Sequence, residues 1–204
     1  MSSTDRQLVI IGASGHGRVV CDIAELSGYK KIVFLDADDS ITDCYGHQVI
    51  GPDSLLPQIE GDVFVAIGDC VVRRKLMEMN DDRFFPVLMH PKSVVAKDVC
   101  LGAGTVVMAG AIINPGSFIG KGVIVNTGAS IDHDCTVEDF SHISVGAHLC
   151  GTVNVGMNTW IGAGATVIND VNISSDCMVG AGGVVVESLK LPGKYLGVPA
   201  KMCG

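Results

Sequence analysis

Residues 101–125, LGAGTVVMAGAIINPGSFIGKGVIV, carry an aliphatic side chain at every sixth position, beginning with Leu101. The same register runs from Val95 to Val185, and all sixteen of its positions are aliphatic. The residue four places further on is usually small or β-branched, as at Thr105. A period of six fits neither an α-helix nor an isolated hairpin, and it is typical of a parallel β-solenoid with three hexapeptides in each coil.

The solenoid register predicts which residues stack on neighbouring coils. Residues eighteen apart are expected to lie about one inter-strand spacing, ~4.8 Å, from each other. His133 then aligns with Gly151, and His142 aligns with Trp160. A glycine next to a histidine predicts a backbone N–H group that stays open to a ligand.

The first part of the chain has a different pattern, in which apolar strands alternate with amphipathic helices. Such alternation favours a small parallel α/β domain of Rossmann-like type. The predicted elements are a strand, Gly-rich turn and helix in 7–29 (QLVIIGASGHGRVVCDIAELSGY), strands in 30–38 (KKIVFLDAD) and 61–69 (GDVFVAIGD), and a helix in 71–80 (VVRRKLMEMN).

The two patterns predict two domains. We expect the α/β domain to span 1–88 and the all-β solenoid, with a short C-terminal tail, to span 89–204. The segment 84–91, FFPVLMHP, has two prolines and is the predicted connector.

Charge and hydropathy restrict the class of partner. The 204 residues include 14 Lys and Arg against 22 Asp and Glu, a net charge of −8, so electrostatics give no reason to expect nucleic acid or an anionic membrane. Residues 101–120 carry no charge, but five glycines and a proline argue against a membrane helix there.

The N-terminus and the cysteines favour the cytoplasm. The segment MSSTDRQLVIIG has no basic stretch followed by an apolar one, so no secretory signal is predicted. The eight cysteines show neither CxxC pairs nor zinc-finger spacing, which favours free thiols in a reducing compartment.

The sequence Gly12-Ala-Ser-Gly-His-Gly17 follows a predicted strand and begins a helix. Amides in this position can face a phosphate at the positive end of the helix. Asp36 ends the second strand, where a ribose-binding carboxylate is expected. The spacing differs from the dinucleotide pattern GxGxxG, so a nucleotide, free or attached to another group, is the favoured ligand; a tight turn without a ligand is the alternative.

Gly68 and Asp69 follow the third strand at its carboxyl end, where ligands of open α/β sheets usually lie. Gly68 has no side chain to hinder the close approach of a ligand. A simple turn at the end of the strand explains the pair equally well.

The histidines of the solenoid, His133, His142 and His148, raise the question of a metal. Their spacing predicts that they lie on different sides of the coil, which argues against a zinc site. A solvated corner residue and a general base are the remaining interpretations of His133. The second is supported by Asp134, a carboxylate that can orient the imidazole and raise its basicity, and by Gly151, whose amide could stabilise an oxyanion.

The motifs GASGHG, FLD, AIG, IDHDC, EDFSHISVGA and GVPAK together resemble the PglD/NeuD-like sugar acetyltransferases along the whole chain. The resemblance implies a left-handed parallel β-helix of hexapeptide repeats and a homotrimer with the active site between subunits. It also implies acetyl transfer from acetyl-CoA to the amine of a UDP-linked 4-amino-4,6-dideoxy sugar, without a metal. The resemblance also implies that the acetylated sugar is used in bacterial glycan synthesis.

The same resemblance implies roles for individual residues. His133 is the general base, and Asp134 replaces the glutamate that is common beside it. The implied contacts to the UDP-sugar are Ser14, Gly15, His16, Asp36, Ala37 and Gly68. The implied contacts to acetyl-CoA are His142, Gly151, Ala163 and Ala181.

Two other functions remain open from the sequence. The same base and thioester site would serve O-acetylation of a sialic-acid-type sugar. A non-catalytic protein that binds nucleotide sugars is the second alternative, and the pair formed by His133 and Asp134 argues against it.

Overall fold

The computed structural model describes residues 6–203. Residues 1–5, which begin the segment used above to assess a secretory signal, and residue 204 lie outside the described residues. Between residues 6 and 203, the helices are all too short or too polar to cross a membrane.

The N-terminal region contains a three-stranded parallel sheet with a helix on each face. The strands lie in the order β2 (Lys31–Leu35), β1 (Gln7–Ile11) and β5 (Asp62–Val65). A hairpin and a 3₁₀ helix, which the sequence did not predict, lie between β2 and β5. The elements are β1 (Gln7–Ile11), α1 (Gly15–Leu26), β2 (Lys31–Leu35), β3 (Asp43–Cys44), β4 (His47–Gln48), a 3₁₀ helix (Asp53–Gln58), β5 (Asp62–Val65) and α2 (Cys70–Glu78).

The central strand explains why both faces of this sheet are covered. Leu8 and Ile10 are buried against α1, whereas Val9 and Ile11 are buried with Met77 of α2. Successive side chains of a strand point to opposite faces, so an uninterrupted apolar run such as LVII requires cover on both faces. The predicted α/β architecture is confirmed.

The rest of the chain forms a parallel β-solenoid with three sides, to which the last described strand, at Lys201–Cys203, adds antiparallel. Side 1 consists of β6 (Leu88–Met89), β9 (Val106–Val107), β12 (Ile124–Val125), β15 (His142–Ile143), β18 (Trp160–Ile161), β21 (Cys177–Val179), β23 (Gly193–Leu196) and β24 (Lys201–Cys203). Side 2 consists of β7 (Val94–Val95), β10 (Ile112–Ile113), β13 (Ser130–Ile131), β16 (His148–Leu149), β19 (Thr166–Val167) and β22 (Val184–Val185). Side 3 consists of β8 (Cys100–Leu101), β11 (Phe118–Ile119), β14 (Thr136–Val137), β17 (Asn154–Val155) and β20 (Asn172–Ile173).

The six-residue register fills the interior as predicted. Ile113 pairs with Ile131 and Ile131 with Leu149, each eighteen residues on, and all three are buried in one apolar cluster. Where the residue four places on is Ser or Thr, its hydroxyl donates to a carbonyl at a corner; the hydroxyl of Thr105, for example, donates to Gly120 O at 2.8 Å. A buried hydroxyl needs such a partner, because burial without one costs free energy.

The N-terminal region packs on side 1 of the solenoid. Leu88, Val106 and Ile124 of side 1 belong to the same buried cluster as Leu8 and Val20. The predicted connector 84–91 therefore contributes β6, the first strand of side 1, instead of a plain linker. This docking leaves the corner between sides 2 and 3, opposite side 1, away from the N-terminal region.

Candidate active site

His133 and Asp134 lie at the corner between sides 2 and 3, and both are exposed. His133 Nδ1 is 2.8 Å from Asp134 Oδ2. An ionised carboxylate only accepts hydrogen bonds, so Nδ1 carries the proton and Nε2 keeps a free lone pair. Asp134 has a φ of 56°, a left-handed conformation that Asp tolerates better than most residues, and this turn directs its carboxylate towards the ring.

A second carboxylate supports this corner. Asp132 Oδ1 accepts from the His133 amide at 2.9 Å and from Asn114 Nδ2 at 2.8 Å. The hydrogen bond to Asp134, followed by the negative charge of Asp132, raises the pKa of His133 above its ordinary value. The arrangement favours proton uptake at Nε2 and stabilises the resulting imidazolium.

Gly151 lies on the next coil beneath the imidazole of His133. A Cβ atom at this position would be 2.6 Å from both Cε1 and Nε2 of His133, so the ring occupies the space that a side chain would need. Thr152 N donates to His133 O at 2.9 Å, which confirms the predicted stacking of the two coils. Gly151 is buried beneath this ring, so its amide is less open to a ligand than the sequence predicted.

His142 lies on side 1 and is 7 % exposed. Its ring stacks on Trp160 with 5.4 Å between centroids, and its Nε2 is 3.1 Å from Asn126 Nδ2. Since the amide nitrogen donates, Nε2 accepts and Nδ1 carries the proton. The buried Nδ1 makes no hydrogen bond of good geometry within the described chain, although the Gly68 carbonyl is close enough to raise the pKa of the ring slightly. Burial, reinforced by the charge of Arg73, lowers the pKa of His142 to about 3, so the ring is neutral at physiological pH.

The turn between β1 and α1 is shaped by its glycines and by Asp36. Gly12 has a φ of 106°, and a Cβ atom on Gly17 would overlap Gly12 O. Ala13 N donates to Asp36 Oδ2 at 2.7 Å. The predicted ribose-binding residue Asp36 therefore also holds the turn in place.

The start of α1 has the properties of an anion site. Ser14 and Gly15 are exposed, and the Ser14 side chain does not cap the helix. His16 follows them, and its buried Nε2 has no hydrogen-bond partner among the described residues. Burial, followed by the charge of Arg73, lowers the pKa of His16 to about 4.

A cavity of about 370 Å³ adjoins this turn, between the ends of the strands and α2. Asp36 and Ala37 contribute to one wall, and Lys75 and Leu76 contribute to another. Gly68 lies at the end of the neighbouring strand, and a Cβ atom there would have no neighbour within 4 Å. The packing therefore does not require glycine at this position, which is consistent with space for a ligand. Asp69, which the sequence also suggested as a ligand contact, has a structural role. Its Oδ1 accepts from Val72 N at 2.9 Å and caps α2.

Arg73, which the sequence analysis did not single out, joins the N-terminal region to the solenoid. It is 1 % exposed, and its guanidinium donates to Gly68 O at 3.0 Å and to Gly122 O at 2.7 Å. A third donation reaches Phe140 O. Nothing in the local pattern distinguishes Arg73 from its neighbour Arg74, because the contacts that bury Arg73 against the solenoid span 49 residues or more.

The predicted site residues lie in three places in a single chain. The nucleotide turn, Gly68 and His142 lie near one another, since His16 and the Gly68 carbonyl both influence the His142 imidazole. His133, Asp134 and Gly151 lie at the opposite corner. Ala163 and Ala181 are exposed and stack at the corner between sides 1 and 2, where Gly182 N donates to Ala163 O at 2.8 Å. His148, on side 2, is apart from both other solenoid histidines.

Comparisons with known proteins agree with this architecture. Residues 7–80 match the model of the PglD N-terminal domain. The UDP-N-acetylbacillosamine N-acetyltransferase of Bacillus subtilis (strain 168) is 33 % identical over 115 residues, which are 51 % of this chain and 52 % of that protein. The matched region thus spans about half the length of that relative.

Solved structures match over nearly the whole chain. The acetyltransferase domain of PglB from Neisseria gonorrhoeae FA1090, in complex with acetyl coenzyme A, is 40 % identical with a TM-score of 0.94, covering 97 % of this chain and 99 % of that one. PerB from Caulobacter crescentus, in complex with CoA and GDP-perosamine, is 41 % identical with a TM-score of 0.92, covering 97 % of each chain. A shared α/β region, a shared solenoid and this degree of identity make the chain a member of the PglD-like family of sugar acetyltransferases.

Proposed function

We propose that this protein transfers the acetyl group of acetyl-CoA to the amine of a UDP-linked 4-amino-4,6-dideoxy sugar. The observation that carries the proposal is the exposed His133–Asp134 pair, whose Nδ1–Oδ2 distance of 2.8 Å leaves Nε2 free to accept a proton. Family membership supplies the reaction class, and relatives in complex with acetyl coenzyme A or CoA support the acyl donor.

His133 would act while the sugar amine attacks the thioester carbonyl. As the C–N bond forms, Nε2 takes a proton from the amine nitrogen, and Asp134 stabilises the imidazolium. The C–S bond then breaks, and the thiolate leaves with the electron pair and gains a proton from solvent or from His133. A covalent acyl-enzyme is unnecessary because a thiolate is a competent leaving group, and the reaction requires no metal.

Other residues would hold the acyl donor. The Nδ1–H group of His142 is a buried donor that makes no hydrogen bond of good geometry within residues 6–203, and it would be suited to an acceptor atom of acetyl-CoA. The exposed backbone at Ala163 and Ala181 would supply further contacts to acetyl-CoA, and Gly151 would line the same site directly beneath the base.

The nucleotide would bind in the N-terminal region. Ser14, Gly15 and His16 would contact the diphosphate at the start of α1, and Gly68 would face the same ligand. Asp36 and Ala37 border the 370 Å³ cavity, where the nucleoside would fit. UDP is favoured by the name of the Bacillus relative, and GDP is the alternative given by the PerB complex. We accordingly assign 1–88 to the sugar nucleotide and 89–204 to acetyl-CoA.

A complete site would need two chains. The base lies at the corner opposite side 1, whereas the nucleotide turn and His142 lie on side 1. Exposed apolar residues flank the corner of the base, including Ile112 on side 2 and Phe118 on side 3, which are 40 % and 50 % exposed. In a homotrimer, this corner of one subunit would meet side 1 of the next, and each of three equivalent sites would be shared. The eight free thiols are consistent with a reducing cytoplasm.

The test is release of CoA from acetyl-CoA with a panel of acceptors. UDP- and GDP-linked 4-amino sugars are compared with their 4-hydroxy counterparts. We expect turnover with the UDP-linked amine and little with the hydroxy compounds. Preference for the GDP-linked amine would correct the nucleotide, preference for a hydroxyl would indicate O-acetylation, and no turnover with any acceptor would favour a non-catalytic binding protein.

A further inference from the structure

Three different metal-ligand side chains converge where α1 faces the hairpin formed by β3 and β4. The Cys21 thiol, a Glu25 carboxylate oxygen and a His47 imidazole nitrogen lie within 4.8 Å of one another. His47 Nε2 is 2.9 Å from Glu25 Oε1. The cluster takes no part in the acetyl transfer proposed above.

The local fold explains this convergence. Cys21 and Glu25 are four residues apart on α1 and therefore share one face of the helix. The hairpin turns at Tyr45 and Gly46, whose φ values of 55° and 79° are those of a tight two-residue turn. His47 follows this turn directly, so the hairpin holds its side chain against α1.

The hairpin is attached to the helix independently of the cluster. Tyr45 OH donates to Asp22 Oδ1 at 3.0 Å, next to Cys21 in the sequence. Cys44 pairs with His47 across the hairpin and is buried in the same apolar cluster as Cys21, but its thiol is not one of the three converging groups. The hairpin and α1 are thus held together, and the metal-ligand groups of Cys21, Glu25 and His47 face one another between them.

The donor set is chemically suited to zinc. Zn²⁺ takes Cys, His and carboxylate ligands at about 2.0–2.3 Å, which in a tetrahedron places the ligand atoms roughly 3.3–3.8 Å apart. Donors within 4.8 Å reach this geometry through shifts of about 1 Å. Glu25, Asp22 and Asp43 make the surroundings negative despite the nearby Arg18, which favours a cation.

We propose that Cys21, Glu25 and His47 bind one Zn²⁺ ion, with water as the fourth ligand. Zn²⁺ binds the thiolate, so coordination by Cys21 displaces the thiol proton, and one proton is released to solvent for each ion bound. The ion links α1, which begins at the nucleotide turn, to the hairpin that follows Asp36 and Ala37. The role is structural, and it is independent of whether the proposed acetyl transfer is correct.

The test uses the full chain without a histidine tag, treated with a chelator and titrated with Co²⁺ and then Zn²⁺. We expect a thiolate-to-cobalt charge-transfer band that Zn²⁺ abolishes, and one Zn²⁺ per chain by elemental analysis. At 100-fold excess over the dissociation constant, Zn²⁺ should raise the unfolding midpoint by roughly 5–10 °C. Mg²⁺ should have no such effect.

Variants locate the site. His47→Ala and Glu25→Gln, both at the surface, should weaken Zn²⁺ binding at least about tenfold, and Cys21→Ser should remove the cobalt band. Gln48→Ala, at an exposed residue of β4 next to His47 that carries none of the three donors, is the matched control and should bind normally. Absence of the band in the wild type, or unchanged binding in both His47→Ala and Glu25→Gln, overturns the proposal even if Cys21→Ser does not fold.

Discussion

The imidazole of His133 occupies the position that a side chain at Gly151 would take, with Nε2 only 2.6 Å from the place of a Cβ atom. The base and the glycine are eighteen residues apart and on successive coils. The position of the proposed base therefore depends on the absence of one methyl group from the next coil.

Gly151→Ala is expected to lower kcat by roughly 10²-fold, since the new methyl group displaces the ring by about 1 Å or more. Steady-state kinetics of Gly151→Ala, His133→Ala and the double variant check this. If the methyl group acts through the ring, the double variant is no slower than His133→Ala. Additive losses would assign Gly151 a separate role.

His133→Ala is expected to lower kcat by roughly 10²–10⁴-fold, the usual effect of losing a general base. The exposed corner residue contributes little to the core, so thermal unfolding should change little. His148→Ala, on side 2, is the matched control and should retain activity. Near-normal kcat for His133→Ala at saturating substrates would remove this residue from the mechanism.

Asp134→Asn is expected to move the acid limb of the pH profile of kcat/KM to lower pH. The base works in its neutral form, and its pKa is raised chiefly by the hydrogen bond to Asp134, so activity falls as pH drops through that raised pKa. Asn has nearly the same shape and tolerates the left-handed φ of 56°, so the turn is retained. An acid limb that stays in place would show that Asp134 does not tune the base.

His142→Ala is expected to raise KM for acetyl-CoA by about tenfold, as a buried donor to the ligand is lost. The acid limb should not move, because the pKa of His142 is about 3 and the ring stays neutral throughout the working range. Kinetics with each substrate varied in turn give both results. A larger effect on the sugar nucleotide would place His142 on the other substrate.

The six-residue period predicted the solenoid, the residues of its interior and the stacking of His133 on Gly151, because each of these follows from a local repeat. The strand–turn–helix pattern likewise predicted the α/β region. The docking of that region on side 1 and the burial of Arg73 were not predictable, since they depend on contacts between distant elements that share no local pattern. The second function of Asp36, holding Ala13 N at 2.7 Å, also became evident only in three dimensions.

Asp36→Ala is expected to raise KM for the sugar nucleotide while KM for acetyl-CoA changes little. The loss combines a missing ribose partner with a loosened turn, because Asp36 Oδ2 accepts from Ala13 N. Asp36→Asn keeps an acceptor oxygen for the turn and should be affected less. A variant with impaired acetyl-CoA binding and normal sugar-nucleotide binding would refute this assignment.

The shared site is the central claim, and it is tested most directly by complementation between two chains that are each nearly inactive when the sugar nucleotide is well below the raised KM of Asp36→Ala. His133→Ala and Asp36→Ala are mixed in equal amounts under conditions that allow subunit exchange, and CoA release is measured. If each site takes its base from one subunit and its nucleotide pocket from the next, about one quarter of the sites in random trimers combine two intact halves, so activity should recover to roughly 25 % of wild type. No recovery despite demonstrated exchange, or an active monomer in light scattering, would contradict the account and show that one chain builds the whole site.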